Sequence, residues 1–181
     1  MFRKAYVAAT VLLILVMMAV AFTGCPQDVT AQYQVTVQNL TPLSTFEPVL
    51  TATHCNEVFV FREGEAGTAD FVDFINGVDL DLVGVLDNLD AVTDLYLLEN
   101  GLGLPTEPDD TAVFTLLGKP DDVITVVAPG IEDPFAGLDS VPLPFAGSRT
   151  FYMDSYVLDD GDVVIDILDA NIVRVTVTRI D

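Results

Sequence analysis

Across residues 33–39 the chain reads Tyr-Gln-Val-Thr-Val-Gln-Asn. Apolar and polar positions alternate strictly there, the period of a strand with one buried face, and Thr41-Pro42 stops it. The same pattern returns near the other end, where Val173, Val175 and Val177 face one way and Arg174, Thr176 and Thr178 the other. Short β-branched and aromatic runs at 49–53, 57–61, 94–98, 111–117, 122–128, 150–153 and 163–168 predict further strands, divided by Gly, Pro, Asn and Asp turns. The period changes at Thr68. Phe71, Val72, Phe74 and Ile75 fall at helical spacing, with Thr68 and Asp70 as start signals and Asn76-Gly77 as the stop. A weaker helical stretch covers 79–89, with Leu82, Val85, Leu86 and Leu89 on one face and Gly84 lowering its propensity. Seven or more short strands with helices confined to one insertion predict a mainly β, antiparallel β-sandwich, and argue against a doubly wound parallel sheet.

The N-terminus follows a different rule. Arg3 and Lys4 precede an uncharged apolar run over 5–22, which reads as a secretory signal with an uncleaved membrane anchor as its structural alternative. Phe22-Thr23-Gly24-Cys25 at its end resembles the bacterial lipobox, which implies a signal peptide over 1–24, lipidation of Cys25, a tether over 25–32 and one domain over 33–181. Two or more acyl chains on Cys25 would anchor the protein stably on the extracytoplasmic side of the cell envelope. Cys25 and Cys55 are the only cysteines, so a disulfide between them is the competing reading. If Cys25 carries lipid, Cys55 becomes a single thiol, packed as a small hydrophobe.

Composition sharpens this. The chain has 181 residues, with 28 acids against 7 bases, yet 51% of it is hydrophobic, enough branched and aromatic residues for a packed core rather than a disordered acidic tail. All 28 acids lie after residue 24. Such a surface repels nucleic acid and anionic headgroups, and favours metal cations or basic partners.

Several segments together resemble the spondin N-terminal domain of bacterial secreted proteins. They are 33–42 (YQVTVQNLTP), Ala52-Thr53-His54, the helix entry over 64–76, 132–144 (EDPFAGLDSVPLP) and Thr150-Phe151-Tyr152-Met153-Asp154. The resemblance spans roughly 31–180. It implies a C2-like β-sandwich of the spondin N-terminal type, without enzymatic activity, serving binding or cell adhesion to a protein or matrix partner, with calcium as cofactor. Carried over residue by residue, the metal ligands fall on Asp133 and Asp154; the family's third ligand falls near Phe114 or Thr115, where this chain has no acid.

Calcium chemistry needs several oxygens on flexible loops, and Glu132-Asp133, Asp139, Asp154 and 159–162 (DDGD) provide candidates, although 28 acids guarantee accidental clusters. Counted from Asp160, the last run fails as an EF-hand, since Asn171 stands at the twelfth position. Asp109-Asp110 and Asp121-Asp122 read as turn formers. His54 is the only histidine and adjoins Cys55, so the two side chains of a strand would point to opposite faces; a packed, hydrogen-bonded histidine is the reading. Gly147-Ser148-Arg149 lacks the second glycine of a nucleophile elbow. Glycoside hydrolysis needs paired carboxylates in a polar cleft lined with aromatics, and the absence of Trp argues against such a carbohydrate platform. The alternatives to a binding module are an acidic structural lipoprotein without a specific ligand, and a small hydrolase using Asp133 and Asp154.

Overall fold

The computed structural model describes residues 29–42, 44–105, 107, 109–130, 135–158 and 165–181, without the side chains of 165–170. Among the described residues, eight strands form one sheet: β1 (Ala31–Asn39), β2 (Val49–His54), β3 (Val92–Leu98), β4 (Thr111–Gly118), β5 (Val123–Pro129), β6 (Phe135–Pro142), β7 (Ser148–Leu158) and β8 (Ile165–Arg179). Their order is β3-β2-β5-β6-β7-β8-β1-β4, every neighbouring pair antiparallel. Two helices, α1 (Ala69–Ile75) and α2 (Asp81–Asp87), form the insertion between β2 and β3. The expectation of a mainly β, antiparallel fold with a short helical insertion holds. Pairing runs unbroken through all eight strands and does not separate two sheets.

The sheet curls until its edge strands β3 and β4 meet, giving a nearly closed barrel. No backbone ladder joins them; side chains make the seam. The Asp94 carboxylate accepts from the Leu117 N–H at 2.7 Å, Thr53 Oγ1 donates to the Leu117 carbonyl at 2.5 Å, and the Tyr96 and Phe114 rings stack at 4.2 Å. Inside lie the alternate residues of β1 and β8, among them Tyr33, Val35, Val37, Val173, Val175 and Val177, with Met153 beside them on β7 and Val126 and Ala128 from β5. Each such side chain taken from water contributes roughly 1.5–3 kcal/mol.

A second core explains why β2 and β5 are buried on both faces. Thr68 Oγ1 caps α1 by accepting the Phe71 N–H at 3.3 Å. The helix then lays Phe71 and Phe74, with Leu82 and Leu86 of α2, over Leu50, Val127, Phe135 and Tyr156. Phe61 completes this cover, 5.7 Å from Phe71 and 5.5 Å from Tyr156. Its ring lies on Gly137, where an added Cβ would sit 2.5 Å from Phe61 Cζ.

Three strand expectations change. Residues 57–61 form no strand, because Val60 and Phe61 leave the sheet to cover it. The described part of the run at 163–168, from Ile165 on, and residues 172–179 belong to one strand, β8, which passes through Asn171 with φ at +61°. Strand β6 was hidden in a Gly-, Asp- and Pro-bearing segment with no alternating pattern, and long-range pairing with β5 and β7 holds it extended.

Candidate functional site

Of the two expected calcium ligands, Asp133 lies outside the described residues, as do Glu132 and 159–162. Asp154 sits in β7 at its bulge and accepts the Asn171 N–H on Oδ1 at 3.1 Å. The carboxylate thereby holds the backbone of β8 where it turns left-handed. Among the described residues no group of three or more His, Cys, Asp or Glu side chains is gathered for a metal ion.

The other carboxylates singled out in the sequence take local partners. Asp139 Oδ1 accepts from Ser140 Oγ at 2.6 Å. Burial pushes the Asp139 carboxyl above its ordinary range, opposed by that hydrogen bond and by the charge of Arg62. Asp122, 3% exposed, accepts the Lys119 N–H at 2.8 Å and closes the β4–β5 turn. Asp110 accepts from Thr111 Oγ1 at 2.9 Å and from Gln38 Nε2 at 3.5 Å.

The histidine forms the most chemically suggestive arrangement. His54 Nδ1 lies 2.9 Å from the Cys55 carbonyl, which can only accept, so Nδ1 carries the proton. Nε2 is then left to accept from Thr125 Oγ1 at 2.8 Å, and Thr125 Oγ1 itself accepts the Ser140 N–H at 3.0 Å. A hydroxyl beside an imidazole is the geometry of an activated nucleophile. Here His54 is 0% and Thr125 2% exposed, so no substrate reaches the pair, and the network locks β2 to β5 and β6. This is a packed, satisfied histidine.

Cys55, also buried, is not the single thiol expected beside a lipidated Cys25: it is disulfide-bonded. Cys25, the lipidation site, lies outside the described residues. Asn39 of the Asn39-Leu40-Thr41 sequon is 0% exposed, its amide nitrogen donating to Ser44 and Gly103 carbonyls at 2.8 and 2.7 Å. No family model matches the chain, and no curated protein does.

Sequence reasoning passed over one assembled feature. The polar residues of β1 and β8, legible singly as outward positions, join those of β4 and β7 in rows across four strands. Their register, invisible locally, makes the surface.

Proposed function

We propose that the chain is exported and works outside the cytoplasm as a single-domain binding module held at the cell envelope. The observation that carries this is the N-terminal order of Arg3-Lys4, an uncharged apolar run over 5–22, and Gly24-Cys25. The strongly acidic yet well-packed domain behind it supports the reading, since its charge keeps it soluble without disrupting its core. The finer fold assignment, a C2-like sandwich of the spondin N-terminal type, rests on the quoted segments and implies adhesion rather than catalysis.

In this reading calcium binds at Asp133 and Asp154. Topology supports the pairing: Phe135 opposes Tyr156 and Leu158 opposes Ile165, so the residues flanking 131–134 and 159–164 leave the sheet at one end. Extracellular modules of this kind bind calcium at about 10⁻⁴–10⁻³ M. Millimolar calcium should raise the Tm of the native chain and leave Asp154→Asn unchanged; no rise in the native chain removes the metal.

The disulfide-bonded Cys55 favours a second reading of the N-terminus, since lipid on Cys25 and a Cys25–Cys55 bond exclude each other. Intact mass of the native protein separates them. A diacylglyceryl adduct on an N-terminal Cys25 supports the anchor, whereas two hydrogens gained on reduction support the disulfide.

A further inference from the structure

We infer that the outer face of β7, β8, β1 and β4 binds a neutral, hydroxyl-rich polysaccharide. The face is opposite in character to the rest of the molecule. Its middle row runs Thr150, Thr176, Thr36 and Val113, in register across four strands. The row on one side pairs Ser148 with Thr178, and that on the other sets Tyr152 beside Arg174. None of these three rows contains an acid, although the chain holds 28. The nearest carboxylates stand at the ends: Asp110 beyond Thr111, Asp154 two residues past Tyr152 and hydrogen-bonded to the Asn171 N–H, and Asp181 hydrogen-bonded to the Gln32 N–H at 2.9 Å. The helices cover the other side of the barrel, so nothing in the described chain lies over this one.

The side chains are held for recognition rather than left mobile. Thr150 and Thr176 hydroxyls bond each other at 3.2 Å, Ser148 bonds Thr178, and Arg174 donates to Gln38. A hydroxyl in such a pair keeps further donor or acceptor capacity toward solvent, which suits a ligand that both donates and accepts. Tyr152, 47% exposed, adds an aromatic surface with a polar tip.

Charge and size select the occupant. A net charge of −21 repels an anionic polymer, and a cationic protein is drawn to the acids elsewhere; a neutral ligand is indifferent to both. Strands about 4.8 Å apart and same-face residues about 6.8 Å apart give these rows roughly 400 Å². A second copy or another protein needs about 800 Å² per partner for a stable interface. An extended sugar chain does not.

The inference rests on the export reading, because such polymers lie outside the cell. It is tested with the full chain in detergent by affinity electrophoresis in dextran, mixed-linkage β-glucan, galactomannan and, as anionic control, polygalacturonate. At least one neutral polymer should retard the protein. Thr150→Val with Thr176→Val, which keeps shape and strand propensity but removes two hydroxyls, should weaken retardation tenfold or more at unchanged Tm, and Tyr152→Ala should do the same. Retardation by no neutral polymer, equal retardation of these variants, or stronger retardation by polygalacturonate overturns the inference. So does a dimer by light scattering that the double variant converts to monomer, which would assign the face to a second copy. N-terminal mass and cell fractionation decide export separately, so either reading can fail alone.

Discussion

At the scale of single residues, the polar groups that look most like function do structural work. Asn39 satisfies two carbonyls with its amide nitrogen and takes the Thr41 N–H on Oδ1 at 3.0 Å, pinning the end of β1 to two loops. Asn39→Asp would turn a carboxylate oxygen toward those carbonyls inside the protein, and should lower unfolding stability by about 3–5 kcal/mol in urea titration. Asp139 behaves the opposite way. Its raised carboxyl makes the native state bind a proton more readily than the unfolded chain. The stability it contributes is therefore complete below the ordinary carboxylate value and is lost as pH rises through the native one. Asp139→Asn should raise Tm at neutral pH, and the gap should close as pH falls through the carboxylate range; a gap independent of pH would refute this. The sequence placed Asn39 at the end of its strand, but it read Asp139 as a loop residue, whereas Asp139 lies within β6. It could not show what surrounds them, because the carbonyl that takes the Asn39 amide proton lies 64 residues away and the burial of Asp139 is set by packing between distant segments.

Among elements, the seam between β3 and β4 is the least conventional contact. Asp94 takes the Leu117 N–H with Oδ2 and the Leu95 N–H at 2.9 Å with Oδ1, standing in for carbonyls that a paired strand would supply. Asp94→Asn keeps only one acceptor oxygen and loses the charge, so it should cost about 1.5–3 kcal/mol and speed hydrogen exchange at Leu117. Unchanged exchange there would mean that the Tyr96–Phe114 stack alone holds the seam. The opposite wall is held by the helices. Burial in their aromatic cluster, aided by the charges of Asp154, Glu63 and Asp139, pushes the Tyr156 hydroxyl up to about 12. Native stability from this group is present below pH 10 and is lost as pH rises through about 12. Absorbance titration should show Tyr156 ionising only with alkaline unfolding, and Tyr156→Phe should remove that share of the loss. The helices themselves were legible from Thr68 and the spacing of Phe71, Phe74 and Ile75. The loop role of 57–61 was not, because a β-branched, aromatic run reads as a strand wherever it packs.

For the whole molecule, net charge dominates. Ion pairs between described residues are few and exposed, Arg62 with Glu65 and Arg179 with Asp181, and pairs of that kind contribute about 0–1 kcal/mol. Repulsion among the acids is then largely uncompensated, so monovalent salt should raise Tm steadily between about 0.01 and 0.15 M as the Debye length falls from about 30 to 8 Å. A Tm flat over that range would show the carboxylates already neutralised. Calcium acting at a site should exceed this screening at equal ionic strength. What the sequence determined by itself was local: the inward faces of β1 and β8 from their alternation, and the α1 start from its cap. Only the tertiary structure decided that residues as distant as Gln34 and Thr178 pair, that β3 meets β4, and that outward Thr and Gln side chains share one acid-free face. Alternation depends on each strand's own backbone, whereas register and closure depend on packing between segments that no local pattern connects.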